Sequence, residues 1–250
     1  MSFMKKETEL IVALDFEKLQ NALDFVDTAG DSITWYKVGS QLFCSAGPAA
    51  VAALKNKGKK VFLDLKFHDI PNTVASAVTE AVKLGADMVN VHASGGKEMM
   101  RAAIMAATDN SPVGKRPLII AVTVLTSMDE TALTEVMNRK DVYTPSIHVP
   151  HLAKLAKESG MDGVVASAHE IELIRRECGG DFVLVIPGIR PADSSTDDQK
   201  RIMTPGEAAK KGADFIVVGR PVLKAKNPAE AARAIKAEMI EAKGRVASNQ

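Results

Sequence analysis

The chain is poor in cysteine: Cys44 and Cys178 are the only two in 250 residues. That number excludes a disulfide scaffold and points to a reducing cytosol. Neither residue lies in a Cys-x-x-Cys pair or beside a histidine, so both read as buried thiols. An excess of charge of one sign is also missing. Lys and Arg total 32 against 31 Asp and Glu, a formal net charge of +1. Nothing in that balance calls for nucleic acid or an anionic membrane as partner, although a local basic site for a small anion stays open. Long apolar runs are absent too. The longest apolar-rich stretch, residues 118–125, is far short of the roughly 20 residues of a membrane helix. Residues 1–9 are charged and lack the apolar core of a secretory signal. A soluble, cytoplasmic protein is expected.

What is present is ordinary for a globular protein: 46% hydrophobic and 25% charged residues. Apolar, β-branched runs alternate with helical patterns along the whole chain. Strands are expected at 10–14, 35–38, 60–65, 88–91, 118–123, 163–166, 183–186 and 215–218. Helices are expected at 19–28, 48–55, 73–84, 97–108, 147–158, 170–178, 207–211 and 229–241. Eight βα units without a break in composition predict one (β/α)8 TIM barrel over residues 1–250, in the α/β class, at the usual length of about 250 residues. Gly85-Ala-Asp87, Gly160-Met-Asp162 and Gly212-Ala-Asp214 each close a helix and open the next strand. Thr204-Pro-Gly-Glu207 and Asn227-Pro-Ala-Glu230 carry helix-start signals, and Ser127-Met-Asp-Glu130 resembles them as the start of a short extra helix.

The chemistry concentrates in residues 62–73, Phe-Leu-Asp-Leu-Lys-Phe-His-Asp-Ile-Pro-Asn-Thr. Read as a strand, it sends Phe62, Asp64 and Lys66 to one face and Val61, Leu63, Leu65 and Phe67 to the other. Ionised groups inside a protein cost several kcal/mol each unless paired. Asp64, Lys66 and Asp69, with Asp15 after the first strand and Lys37 in the second, favour the C-terminal strand ends where barrel enzymes work. The alternative is an ion-pair network that merely plugs the barrel. Pro187-Gly-Ile-Arg190 and Val218-Gly-Arg-Pro221 end strands seven and eight, a frequent place for phosphate. Gly219 admits close backbone approach there, and Arg220 can make a bidentate contact. The polar segment 190–201 reads as a lid. His148-x-x-His151 reads as surface rather than metal-binding. His92 stands near the site, and His68 has no partner evident in the sequence.

Together these residues resemble the orotidine 5'-phosphate decarboxylase family. The resemblance runs through Leu14-Asp15, Tyr36-Lys-Val-Gly39, Asp64-Leu-Lys-Phe-His-Asp-Ile-Pro-Asn-Thr73, Val91-His-Ala93, Leu125-Thr-Ser127, Pro187-Gly-Ile-Arg190, Gln199 and Val218-Gly-Arg220. It implies a homodimer with shared active sites that turns orotidine 5'-phosphate into UMP and CO2. Catalytic roles then fall to Lys66, Asp64, Asp69 and Lys37. Lys66 would protonate C6, and Asp64 would lie beside the substrate carboxylate. Asp69 and Thr73 would reach across the interface. Asp15 and Lys37 would bind the ribose, and Thr126 the pyrimidine edge. Gln199 would bridge base and phosphate, which Arg190, Gly219 and Arg220 would hold. No metal, flavin, pyridoxal or thiamine motif is visible, so electrostatic stabilisation without a cofactor is expected. Two rivals remain: a magnesium-dependent barrel decarboxylase of sugar phosphates, and a non-catalytic nucleotide-binding barrel.

Overall fold

A strand buried on both faces needs apolar residues at odd and even positions alike, and the runs in this chain provide them. The computed structural model describes residues 7–138, 144–191 and 203–247. Eight parallel strands close into a barrel in chain order. They are β1 (Glu9–Ala13), β2 (Trp35–Gly39), β3 (Lys60–Phe67), β4 (Met88–His92), β5 (Leu118–Val122), β6 (Gly163–Val165), β7 (Val183–Pro187) and β8 (Phe215–Val218). Closure is made by β8 on β1, from Glu9↔Phe215 to Val12↔Val218. The surrounding helices are α1 (Leu19–Ala29), α2 (Ser40–Ala46), α3 (Pro48–Asn56), α4 (Pro71–Lys83), α5 (Gly96–Asp109), α6 (Glu130–Met137), α7 (Pro145–Glu158), α8 (Ile171–Cys178), α9 (Pro205–Lys211), α10 (Arg220–Leu223) and α11 (Pro228–Ala247). The expected (β/α)8 TIM barrel is the fold observed. Among the described residues, no helix is long and apolar enough to cross a membrane.

The core has two parts. One set of strand residues, including Ile11, Trp35, Phe62, Met88, Ile120, Val185 and Phe215, fills the barrel interior. The alternate set, including Val12, Tyr36, Val61, Leu63, Val89 and Ile216, packs against the helices. The lower end of the barrel is tied by the Gly-x-Asp repeats. Gly85, Gly160 and Gly212 take φ of 80°, 85° and 105°, the left-handed turn that ends each helix. The aspartate two residues on then accepts a backbone N–H from a neighbouring strand: Asp87 from Val61, Asp162 from Ile119 and Asp214 from Leu184. Each carboxylate is paired with a cation, Lys55, Arg116 and Arg175 respectively. The charged pairs at this end therefore hold strands in place, whereas the opposite end carries the site.

Four local expectations are corrected. Helix α2 follows Gly39 without any turn signal and was not anticipated. It leaves Cys44 exposed, so only Cys178 is a buried thiol. The extra helix after β5 exists as α6, but its cap is Asp129, which accepts from Ala132 N at 2.9 Å, and not Ser127. His148 is buried on α7 rather than at the surface, because α7 begins at Pro145 and buries it with Val149 and Leu152.

Candidate active site

The strands raise their charged residues to the mouth by simple alternation. Trp35, Phe62 and Met88 lie in the interior, and two residues further along the same faces stand Lys37, Asp64 and Asn90. Lys66 Nζ donates to Asp64 Oδ1 at 2.7 Å. Lys37 Nζ lies 3.4 Å from Asp64 Oδ2 and 3.5 Å from Asp15 Oδ1. The signs alternate along Asp15, Lys37, Asp64 and Lys66, so no ion is left uncompensated. The array opens outward: side-chain exposure is 11% at Asp64, 14% at Lys37, 36% at Lys66 and 55% at Asp15. Burial pushes the Asp64 carboxyl up, but Lys37, then Lys66, and the hydrogen bonds from Lys66 and Asn90 outweigh it and hold it below its ordinary 3.8. Asp64 is thus a carboxylate at neutral pH.

Strand β3 is not regular at this point. Leu63 pairs with Val89, and the next pair in register is Phe67 with Val91, so β3 uses four residues where β4 uses two. Within that bulge Lys66 takes φ 52°. A left-handed backbone costs a non-glycine residue roughly 1–3 kcal/mol. The freed Lys66 N–H goes to the side chain of Asn90 at 2.8 Å. Asp64 and Lys66 do share a side, as expected, but through a bulge and not one pleat repeat of a flat strand. Gly39 makes room nearby: a Cβ there would sit 2.8 Å from Lys37 Nζ.

The ends of β7 and β8 lie side by side. Arg190 is buried, and its backbone N–H donates to Met203 O at 3.2 Å. Ile189 also bridges to Met203. Arg220 opens α10 and is exposed. A Cβ on Gly219 would come within 3.5 Å of Asp15 Oδ2, which puts the end of β8 against the first carboxylate of the array.

A family model described as orotidine 5'-phosphate decarboxylase / HUMPS family matches residues 8–235. The chain belongs to this family. Among the relatives of this orotidine 5'-phosphate decarboxylase / HUMPS member is the orotidine 5'-phosphate decarboxylase of Pseudoalteromonas translucida. It is 54% identical over 225 residues, 90% of this chain and 94% of that one. The crystal structure of orotidine 5'-phosphate decarboxylase from Lactobacillus acidophilus superposes with a TM-score of 0.83 at 38% identity, covering 93% of this chain and 99% of that one. An uncharacterized conserved protein from Geobacillus kaustophilus gives 0.80 at 43% identity, covering 92% and 99%.

The structure gathers Asp15, Lys37, Asp64 and Lys66, with Gly219 alongside. It does not bring Asp69 or Thr73 to them. Both are exposed, and the Asp69 carboxylate accepts from Ile70 N at 2.6 Å with no ion pair to Lys66. Thr126 is exposed on the loop after β5. Gln199 and most of the expected lid lie outside the described residues. Among the described residues, no group of three or more His, Cys, Asp and Glu is gathered as for a metal ion. Sequence reasoning missed Asn90, which is fully buried and donates to Asp64 Oδ1 at 2.6 Å. Its signal was available: a polar residue on the inward face of β4, two after Met88. His68 also gains a partner, because its ring stands 5.2 Å from that of His92. Burial, then His68 and Lys66, push the His92 pKa below its ordinary value against the opposing pull of Asp64.

Proposed function

We infer that this chain catalyses the decarboxylation of orotidine 5'-phosphate to UMP and CO2, the final step of de novo UMP biosynthesis, and is a carboxy-lyase. The observation that carries the reading is the alternating array of Asp15, Lys37, Asp64 and Lys66 at the mouth of a barrel whose residues 8–235 match this family.

The chemistry follows from the charges. When the bond from C6 to the carboxyl group breaks, its electron pair stays on C6 in an sp2 orbital with little delocalisation into the ring. The Lys66 ammonium stabilises that pair and transfers a proton to C6, and the amine regains its proton from solvent. Asp64 lies beside the substrate carboxylate and holds Lys66 in place. Asp15 and Lys37 take the ribose hydroxyls, and Thr126 the edge of the base. Arg190, the Gly219 backbone and Arg220 bind the phosphate, with Gln199 reaching it from the loop. Phosphate binding far from the reacting bond is then expressed in the transition state. In our reading the chain is a single barrel domain of the cytoplasm that works as a homodimer. Asp69 and Thr73 complete the neighbour's site; both are exposed here. The 66% exposure of Ile70 between them supports a covered surface there.

The test is a spectrophotometric assay of orotidine 5'-phosphate consumption with and without EDTA. Turnover unchanged by the chelator is expected. Activity lost to EDTA and restored by magnesium would favour the metal-dependent rival. Tight UMP binding without turnover would favour a binding protein.

A further inference from the structure

Asn90 occupies a position that nothing in the proposed reaction uses directly. It is fully buried on β4, and its side-chain amide makes two bonds of opposite sense. Nδ2 donates to Asp64 Oδ1 at 2.6 Å, and Oδ1 accepts from Lys66 N at 2.8 Å. The backbone N–H can only donate and the carboxylate can only accept, so the amide has one satisfactory orientation. One side chain thereby spans both ends of the β3 bulge, at the place where Lys66 adopts φ 52°. We propose that Asn90 is a positioning residue for catalysis: it fixes the bulge that delivers the Lys66 ammonium to C6 and aligns Asp64 against it.

This inference rests on the decarboxylase reading. Its consequence is that losing the amide displaces Lys66 and Asp64 while leaving the ribose and phosphate contacts intact. The charged and titratable groups that face Asp64 are Lys37 from β2, Lys66 from β3 and His92 from β4, with Asp15 from beyond β1 on the far side of Lys37, and all are retained in the variants. Two substitutions separate positioning from simple support of the fold. Asn90→Ala removes both bonds. Asn90→Asp keeps the shape and the acceptor for Lys66 N but sets a second carboxylate against Asp64. Two carboxyl groups in contact share a proton readily. Once protonated, the introduced carboxyl again offers one donor and one acceptor.

The experiment measures kcat and KM for orotidine 5'-phosphate from about pH 5.5 to 8.5, UMP affinity, and thermal melting for wild type and both variants. For Asn90→Ala, kcat is expected to fall about 100-fold, the cost of roughly an ångström of misplacement. KM and the UMP Kd should stay within about threefold. For Asn90→Asp, the kcat deficit against wild type should shrink at least about tenfold on acidification as the donor is restored. Should Asn90→Ala fail to fold, the isosteric Asn90→Asp profile decides alone. Variants that keep wild-type kcat overturn the inference. So does a deficit that is constant with pH, or a loss of UMP affinity equal to the loss of kcat. A wild-type protein without turnover would refute the decarboxylase reading itself, and this inference with it.

Discussion

Glu170 shows how a single buried carboxyl colours the pH response of this protein. It is 8% exposed at the start of α8, and Oε2 has no hydrogen-bond partner among the described residues. Burial pushes its pKa above the ordinary 4.5, against a weaker opposing hydrogen bond from Ser167 and the charge of the neighbouring His169. The folded state therefore holds this proton more tightly than the unfolded chain. Its contribution to stability is complete below pH 4.5 and is lost as pH rises through the folded value. Glu170→Gln keeps the shape and stays neutral, so its Tm relative to wild type should climb between pH 4 and pH 8. A constant difference across that range would contradict the assignment. His92 behaves in the opposite sense. With its folded pKa depressed, its contribution is complete above its ordinary 6.5 and falls away as pH drops towards the folded value.

In the proposed reading, the loop joining β8 to α10 carries phosphate recognition. Arg220→Ala should raise KM about 10- to 100-fold, since a charge-assisted hydrogen bond is worth about 1.5–3 kcal/mol. The same change should matter much less for orotidine lacking the phosphate. Equal losses on the two substrates would show that Arg220 does not read it. Elements also explain what the sequence disclosed and what it withheld. Asp64, Lys66 and Lys37 stood out because charges inside apolar strands demand partners, and alternation alone placed them on the inward face. The bulge in β3 did not stand out, because a positive φ is normally announced by glycine or asparagine and here belongs to a lysine. Asn90 was visible as a polar residue on the inward face of β4, but what it holds depends on β4 lying next to β3, a relation between strands. The Gly-x-Asp repeats were recognised for their glycines. The grip of their aspartates on the neighbouring strands became evident only once the barrel had closed. Cys44 is exposed for a similar reason: α2, which carries it, has no periodic apolar stripe in its seven residues, Ser-Gln-Leu-Phe-Cys-Ser-Ala.

At the scale of the whole molecule, the site carries Asp15, Lys37, Asp64 and Lys66, while Asp69 and Thr73 are exposed apart from them. A two-fold pairing that brings them to a neighbour predicts complementation between subunits. Lys66→Ala and Asp69→Ala chains, unfolded and refolded together in equal amounts, should recover about a quarter of wild-type activity, because half the dimers are mixed and each has one intact site. Mixed dimers that form, as judged by a mass tag, and stay as inactive as the separate mutants would show that Asp69 does not act across the interface. The central claim is that the Lys66 ammonium, held at 2.7 Å from Asp64, is the proton donor of a decarboxylase. It is tested most directly by the kcat of Lys66→Ala on orotidine 5'-phosphate, with UMP binding and melting measured on the same preparation. The account predicts a folded protein that still binds UMP and retains less than about a hundredth of wild-type kcat, in keeping with general-acid contributions of about 10²–10⁴-fold. A folded Lys66→Ala enzyme with more than that fraction of activity would contradict it.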